Sequence, residues 1–89
     1  MLILVQTKVR KMKEQKIKQD RISIGNNIKR LRKQKQIKQV DMVKYVQLLG
    51  IDLTRESLVK IERGTQHIYA CQLKAFKDVL ETTYDELLK

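Results

Sequence analysis

The residues best suited to chemistry lie in one short segment, TRESLVKIERG, which runs from Thr54 to Gly64. Thr54 can cap a helix by accepting a hydrogen bond from a following backbone N–H, and Gly64 is a residue type that ends helices. On this helix Leu58 and Ile61 point one way. The opposite face carries the long polar side chains of the first two turns, which are Arg55, Glu56 and Lys60. Arginine and lysine suit the O6 and N7 acceptors of guanine, and glutamate suits the amino group of cytosine, so this face is fitted to hydrogen bonding with base edges.

The chain offers no recognisable catalytic constellation. It has no paired carboxylates, no nucleophile with a nearby base and no glycine-rich phosphate loop, so we do not expect an enzyme. His67 and Cys71 are four residues apart and could share a helix face, yet zinc usually takes four ligands and the chain has one histidine and one cysteine. We therefore expect no metal and no cofactor, with Cys71 as a small core residue and His67 as a solvated turn residue.

Composition indicates one small basic domain with a polyanionic partner. Twenty basic and ten acidic side chains among 89 residues leave a net charge of +10. Residues 1–38 hold 13 bases and two acids, whereas residues 39–89 hold seven bases and eight acids. The alternative is that the charge only keeps the protein in solution. A single cysteine fits a reducing cytoplasm, and the apolar run MLILV is too short to span a membrane, so we expect neither export nor a membrane partner.

The chain divides into an arm and a domain. Residues 1–22 are predicted to form a basic arm, disordered or partly helical, which is either solvated or touches phosphates. Residues 23–89 show apolar stripes at helical spacing, which predict helices over about 23–36, 38–49, 54–63, 70–80 and 84–88. We therefore expect a compact all-α fold of five helices.

Three details of the helical pattern are specific enough to be checked. The second helix is expected to bury Met42, Val43, Val46 and Leu49. The fourth helix has a poor start signal, because Tyr69 stands where a capping serine or threonine is expected. Thr83 and Glu86 form a T-x-x-E capping box for the last helix.

These motifs together resemble the phage-repressor and Cro-like helix-turn-helix family, which includes the Xre-type regulators. TRESLVKIERG is similar to the recognition helix of that family, IKRLRKQKQIKQ to its first helix and VLETTYDELL to its C-terminal end. The resemblance covers about residues 24–89 and implies a lambda-repressor-like DNA-binding domain over residues 23–89. The chain departs from the pattern at Val43, where the family has a small alanine, and in the longer stretch from Val46 to Thr54. Second helices that end in QLLGI resemble a bacterial subgroup of the same family.

The resemblance also implies roles for individual residues. Arg55, Glu56 and Lys60 match the positions that contact bases, although Glu56 could instead orient Arg55 or favour the helix N-terminus by its charge. Arg32 matches the arginine that reaches the glutamate ending the recognition helix, here Glu62. The residues expected to contact the DNA backbone are Gln39, Thr54, Ser57, Arg63, Thr65, Gln66, Lys35 and Lys38.

We expect a sequence-specific transcriptional regulator that binds double-stranded DNA, a repressor acting as a cytoplasmic homodimer on a palindromic operator. Its candidate dimer contacts, which could equally be intramolecular core, are Val79, Tyr84, Leu87 and Leu88. One alternative is the antitoxin of a toxin–antitoxin pair, which uses the same fold and also binds a protein partner. Another is a basic RNA-binding protein, for which one Phe, three Tyr and no Trp offer few stacking platforms.

Overall fold

Five helices and one short strand pair make up the computed structural model, which describes residues 15–19 and 22–89. The helices are α1 (Ile24–Gln34), α2 (Gln39–Leu48), α3 (Arg55–Arg63), α4 (Ala70–Leu80) and α5 (Tyr84–Leu87). The strands β1 (Lys16–Ile17) and β2 (Ile68–Tyr69) pair antiparallel, with Lys16 opposite Tyr69 and Ile17 opposite Ile68. The prediction of a mostly helical fold is therefore confirmed for the described residues.

One apolar stripe from each helix builds the core. Helix α1 packs against α3 and α5, and α2 packs against α3 and α4. The fully buried side chains of this core are Ile28, Met42, Val46, Leu58, Ile61, Ile68, Phe76, Leu80 and Leu87. Because α3 contacts both α1 and α2, its inner face is buried and its outer face is left to solvent.

Local capping sets the ends of the later helices. The Thr54 hydroxyl accepts a hydrogen bond of 3.0 Å from the Ser57 N–H, and Gly64 ends α3 in the left-handed region with φ of +79°. At α4 the missing hydroxyl cap is replaced, because the Gln72 side chain accepts a hydrogen bond of 3.0 Å from the Tyr69 N–H. The Thr83 hydroxyl accepts the Glu86 N–H at 3.2 Å and so caps α5, which confirms this half of the predicted capping box. The Glu86 carboxylate, expected to complete the box, lies near Arg30 and Lys89 instead.

The structure contradicts the predicted burial of Leu49 and decides between the two roles considered for Leu87. Leu49, expected in the core, is 51% exposed, because α2 ends at Leu48 and Gly50 turns the chain with φ of +82°. Leu53, 4% exposed, fills the core after that turn instead. Leu87, a candidate dimer contact, is fully buried inside the domain and has no surface left for a second subunit.

Part of the basic arm is docked on the domain. Residues 15–19 lie within the predicted arm, and the sequence analysis did not foresee that they contain a strand. The Ala70 N–H donates to the Gln15 carbonyl at 3.0 Å, and Ile17 packs against the core. Residues 1–14, the rest of the predicted arm up to this point, lie outside the described residues. Within the described part of the chain, no helix is long and apolar enough to cross a membrane.

Candidate nucleic-acid interface

The outer face of α3 is a polar, exposed surface. Arg55, Glu56, Lys60 and Arg63 are exposed on this face, whereas Leu58 on the inner face is fully buried. Within the described residues no ion pair joins Glu56 to Arg55. This agrees with helix geometry, since adjacent positions do not face each other. The three residues expected to contact bases are thus brought together with their polar groups directed to solvent.

A buried ion pair holds the C-terminal end of α3. The structure brings Arg32 and Glu62 together in a two-pronged contact, with Nε to Oε2 at 2.7 Å and Nη2 to Oε1 at 3.0 Å. Arg32 is 7% and Glu62 is 6% exposed. The remaining Arg32 nitrogen, Nη1, donates to the Ile37 carbonyl at 2.8 Å, which ties in the turn between α1 and α2. A paired guanidinium and carboxylate with further hydrogen bonds can be kept inside a core.

Gln39 joins the same carboxylate. Its Nε2 donates to Glu62 Oε1 at 3.0 Å from the first residue of α2. The side-chain amide expected to contact a phosphate is therefore engaged inside the protein, and it fixes α2 to α3. Lys38, the residue before it, is exposed at the N-terminal end of α2, where backbone N–H groups are free to meet an anion.

The other residues expected to contact the DNA backbone occupy two places. Thr54 is exposed and Ser57 half-buried at the start of α3, and the Thr54 hydroxyl oxygen is engaged in capping. After α3, the exposed Thr65 donates its hydroxyl to the Lys60 carbonyl at 3.2 Å, which keeps the turn close to the helix end. Gln66 follows and is half-buried.

Lys35 is placed beside α4. Its Nζ lies 3.8 Å from an Oε1 of Glu81, the residue that ends α4, and both side chains are well exposed. An exposed pair at this distance is weak and leaves Lys35 able to turn to another anion. The structure does not join Lys35 to α3, so its expected role rests on charge alone.

Two functional positions were missed by the sequence analysis, Gln19 and Gly25. The Gln19 Nε2 donates to the Ile61 carbonyl and to the Gln66 carbonyl, both at 3.1 Å. Its Oε1 accepts the Gly25 N–H at 2.7 Å. One side chain thus ties the docked arm to the start of α1, the end of α3 and the following turn.

Gly25 allows α1 to touch α3 without a side chain between them. A Cβ at this position would lie 1.7 Å from the Ile61 carbonyl oxygen, which no side chain could tolerate. A glycine inside a helix costs about 1 kcal/mol relative to alanine. Such a glycine is a sequence signal of close backbone approach, and it marks where the first helix meets α3.

The residues that could hold a metal do not form a site. His67 is exposed in the turn before β2, and Cys71 is half-buried on α4 rather than in the core. Among the described residues no cluster of three or more His, Cys, Asp or Glu side chains could bind a metal ion.

Comparison with known proteins gives no match of any kind: no protein-family model matches the chain, and neither a curated protein nor a solved structure is significantly similar to it. The features that bear on function are therefore the exposed face of α3, the attachment of that helix to α1 and α2, and the charge around it.

Proposed function

We propose that this chain is a sequence-specific transcriptional regulator, a repressor, that binds double-stranded DNA by inserting α3 into the major groove. In this proposal α2 and α3 form a helix-turn-helix of the lambda-repressor-like type, as the resemblance to the Cro-like and Xre-type family implies. The observation that carries the proposal is the outer face of α3, where Arg55, Glu56 and Lys60 are exposed together.

The way α3 is attached to the rest of the domain supports insertion of its N-terminal end into the major groove. Its C-terminal end is fixed to α1 and α2 through Glu62, whereas Thr54, Arg55 and Glu56 are exposed at the other end. With nine residues the helix is about 14 Å long, comparable to a major groove about 12 Å wide. A rigidly attached helix favours sequence specificity, because hydrogen bonds to base edges weaken steeply when the donor–hydrogen–acceptor angle departs from linearity.

The charge supports a polyanion as the ligand. The net charge is +10, and the excess of bases lies in residues 1–38. Within the described part of this region Lys29, Lys33 and Lys38 are exposed. Cations that neutralise phosphates release bound counterions, which supplies affinity without selecting a sequence. Single-stranded RNA is less well supported, because its binders stack successive bases on neighbouring exposed rings. Here Phe76 is fully buried, and the exposed rings of Tyr45 and Tyr84 lie on different helices, α2 and α5.

We further propose a cytoplasmic homodimer on a palindromic site. One helix covers too few base pairs to select a site, and two-fold dimers of this type place their helices about 34 Å apart, one turn of DNA. The proposed contacts are Val79 on α4, half-buried, and Tyr84 and Leu88 at the C-terminal end, which are exposed. Leu87 is not among them, since it is fully buried.

An apolar patch favours a second candidate, the antitoxin of a toxin–antitoxin pair. Tyr45, Leu48 and Leu49 are exposed at the end of α2, and Leu48 is 74% exposed. Adjacent exposed apolar residues mark protein-binding surfaces. An antitoxin would bind DNA through α3 and a toxin through a surface such as this one. Purification with a stoichiometric protein encoded by a neighbouring gene would select this candidate.

The proposed function is tested by selecting binding sites from genomic DNA fragments with the purified protein. We expect enrichment of one motif with two-fold symmetry, and titrations in which the selected duplex binds at least about a thousandfold tighter than its scrambled version. The triple variant Arg55→Ala, Glu56→Ala, Lys60→Ala is the control, and it should retain only the nonspecific affinity. Equal binding to selected and scrambled duplexes by the parent protein would refute sequence-specific recognition.

A further inference from the structure

The docked segment, residues 15–19, carries two exposed lysines, Lys16 in β1 and Lys18 directly after it. Successive side chains of a strand point to opposite sides. Ile17 points inward and packs against the core, so Lys16 and Lys18 both point away from it, and both are exposed. Two cations are thereby held on the outside of the domain by a segment that is attached to it through the strand pair, Ile17 and the Gln19 side chain.

Two adjoining recesses lie at the C-terminal end of α3, and Lys18 lines the smaller one. The smaller recess, of about 250 Å³, is lined by Lys18, Gln19, Gly64, Thr65, Gln66 and His67. The larger, of about 430 Å³, is lined by Gln19, Ser23, Asn26, Lys29, Glu62, Arg63 and Gly64. The two recesses share Gln19 and Gly64, so Lys18, Lys29 and Arg63 lie around adjoining recesses. Among the described residues that line them the one carboxylate is that of Glu62, which is paired with Arg32.

We infer that the docked segment, residues 15–19, is part of the DNA-binding surface, with Lys18 contacting a backbone phosphate next to the turn after α3 and Lys16 adding to the positive field. Cations and the N–H of an imidazole, here that of His67, are groups that donate to phosphate oxygens, whereas the hydroxyl hydrogen of Thr65 is donated to the Lys60 carbonyl. This inference rests on the proposed function, since the phosphates are those of the duplex into which α3 inserts. It adds a cation of the arm to the backbone contacts already expected from Thr65 and Gln66 in that turn and from the N-terminal end of α2.

Gln19 is the positioning residue of this surface. Its three hydrogen bonds, to the Ile61 and Gln66 carbonyls and from the Gly25 N–H, join the end of the docked segment to the domain. The two-residue strand pair alone is too short to hold the segment firmly. Removing the Gln19 amide should therefore release Lys18 from its place without changing the charge of the protein.

The experiment measures binding of selected and scrambled duplexes over a salt series. The variants are Lys18→Gln and the charge reversal Lys18→Glu, and the matched control is Lys74→Gln, which removes an exposed lysine on α4. We expect Lys18→Gln to weaken both duplexes by the same factor and to leave the selected motif unchanged. The slope of log affinity against log salt should fall in magnitude by about 0.9, because one counterion fewer is released. The ratio of the parent's affinity to the affinity of Lys18→Gln should then fall about threefold between about 50 and about 200 mM salt.

A double-variant comparison isolates the role of Gln19. Gln19→Ala should reduce the salt slope as Lys18→Gln does, and adding Lys18→Gln to Gln19→Ala should change the slope little further. A purely structural role for Gln19 would instead lower the melting temperature and leave the effect of Lys18→Gln at its full size.

The outcomes separate the two proposals. If the parent protein binds the selected duplex and Lys18→Gln and Lys18→Glu keep the parental slope, the inference is refuted and the proposed function stands. If Lys74→Gln lowers the slope as much as Lys18→Gln, the effect is one of net charge, and the inference is again refuted. If the parent binds no duplex, the proposed function fails and this inference fails with it.

Discussion

The buried contact between Arg32 and Glu62 allows a sharp test of how α3 is held. Replacing Arg32 by alanine removes three hydrogen bonds, two to Glu62 and one to the Ile37 carbonyl. Among the described residues, Glu62, 6% exposed, would then keep the neutral amide of Gln39 as its one side-chain partner. Breaking a buried ion pair by removing one partner costs about 3–5 kcal/mol, because a charge is left uncompensated.

That cost is large for a chain of this size. A domain of 89 residues is stable by about 4–13 kcal/mol, and 1 kcal/mol shifts the melting temperature of such a domain by about 4–8 °C. Arg32→Ala should therefore melt at least about 12 °C below the parent. Thermal unfolding followed by circular dichroism at 222 nm, about the wavelength of the helical minimum, measures the shift directly.

Two controls make the result interpretable. Arg30→Ala removes an arginine of the same helix whose Nη2 lies 3.7 Å from Glu86 and whose side chain is 39% exposed, so its ion pair is worth at most about 1 kcal/mol. The double variant Arg32→Met, Glu62→Met removes both charges and should recover much of the loss, since a well-packed apolar pair can replace a buried ion pair. An Arg32→Ala protein melting within about 2 °C of the parent would refute the argument that an uncompensated charge remains.

Three further predictions use other parts of the interface. Gly25→Ala should lower the melting temperature by more than the surface change Lys74→Ala, because its Cβ would meet a backbone carbonyl at 1.7 Å; an unchanged melt would mean that α1 and α3 do not approach as described. Lys60→Ala should weaken binding of the selected duplex by about 1–3 kcal/mol and make the protein less selective at one base position. Lys35→Ala should weaken binding of all sequences alike and reduce the slope of log affinity against log salt by about one in magnitude. If Lys60→Ala weakened binding of the selected and the scrambled duplex equally, Lys60 would not be among the residues that contact bases. Leu88→Glu should convert a dimer into a monomer in light scattering, and a parent protein that is monomeric at high concentration and binds a palindromic site one to one would exclude the dimer.

The parts of the fold that follow from local chemistry could be predicted from the sequence. Thr54 and Gly64 bound α3 as expected, because a capping hydroxyl and a left-handed glycine act within one turn of the chain. The apolar stripes of α1 and α4 also predicted which faces are buried. The bounds of α3 and its own apolar stripe together define its exposed face, so the polar residues of that face could be named from the sequence.

Features set by distant parts of the chain could not be predicted. Strand β1 has two residues, too few for a period-two pattern to appear, and it exists because β2 offers it a partner. The three hydrogen bonds of Gln19 depend on carbonyls more than 40 residues away and on the close approach at Gly25. Leu49 was misplaced because the exact end of α2, rather than the helical period, decides on which side of the turn it falls.

The pairing of β1 with β2 also separates the domain into parts that open independently. The pair joins residues about 50 positions apart through a very short ladder, whereas the helices are held by the continuous core. Segments with few buried contacts undergo local unfolding at a much lower free energy than the whole domain. The N–H of Ala70, which bonds to Gln15, should therefore exchange with solvent hydrogen faster than that of Phe76 in the middle of α4. Residues 15–19 should therefore detach before the helices unfold, and if Lys18 contacts DNA as proposed, a bound duplex should slow the exchange at Ala70.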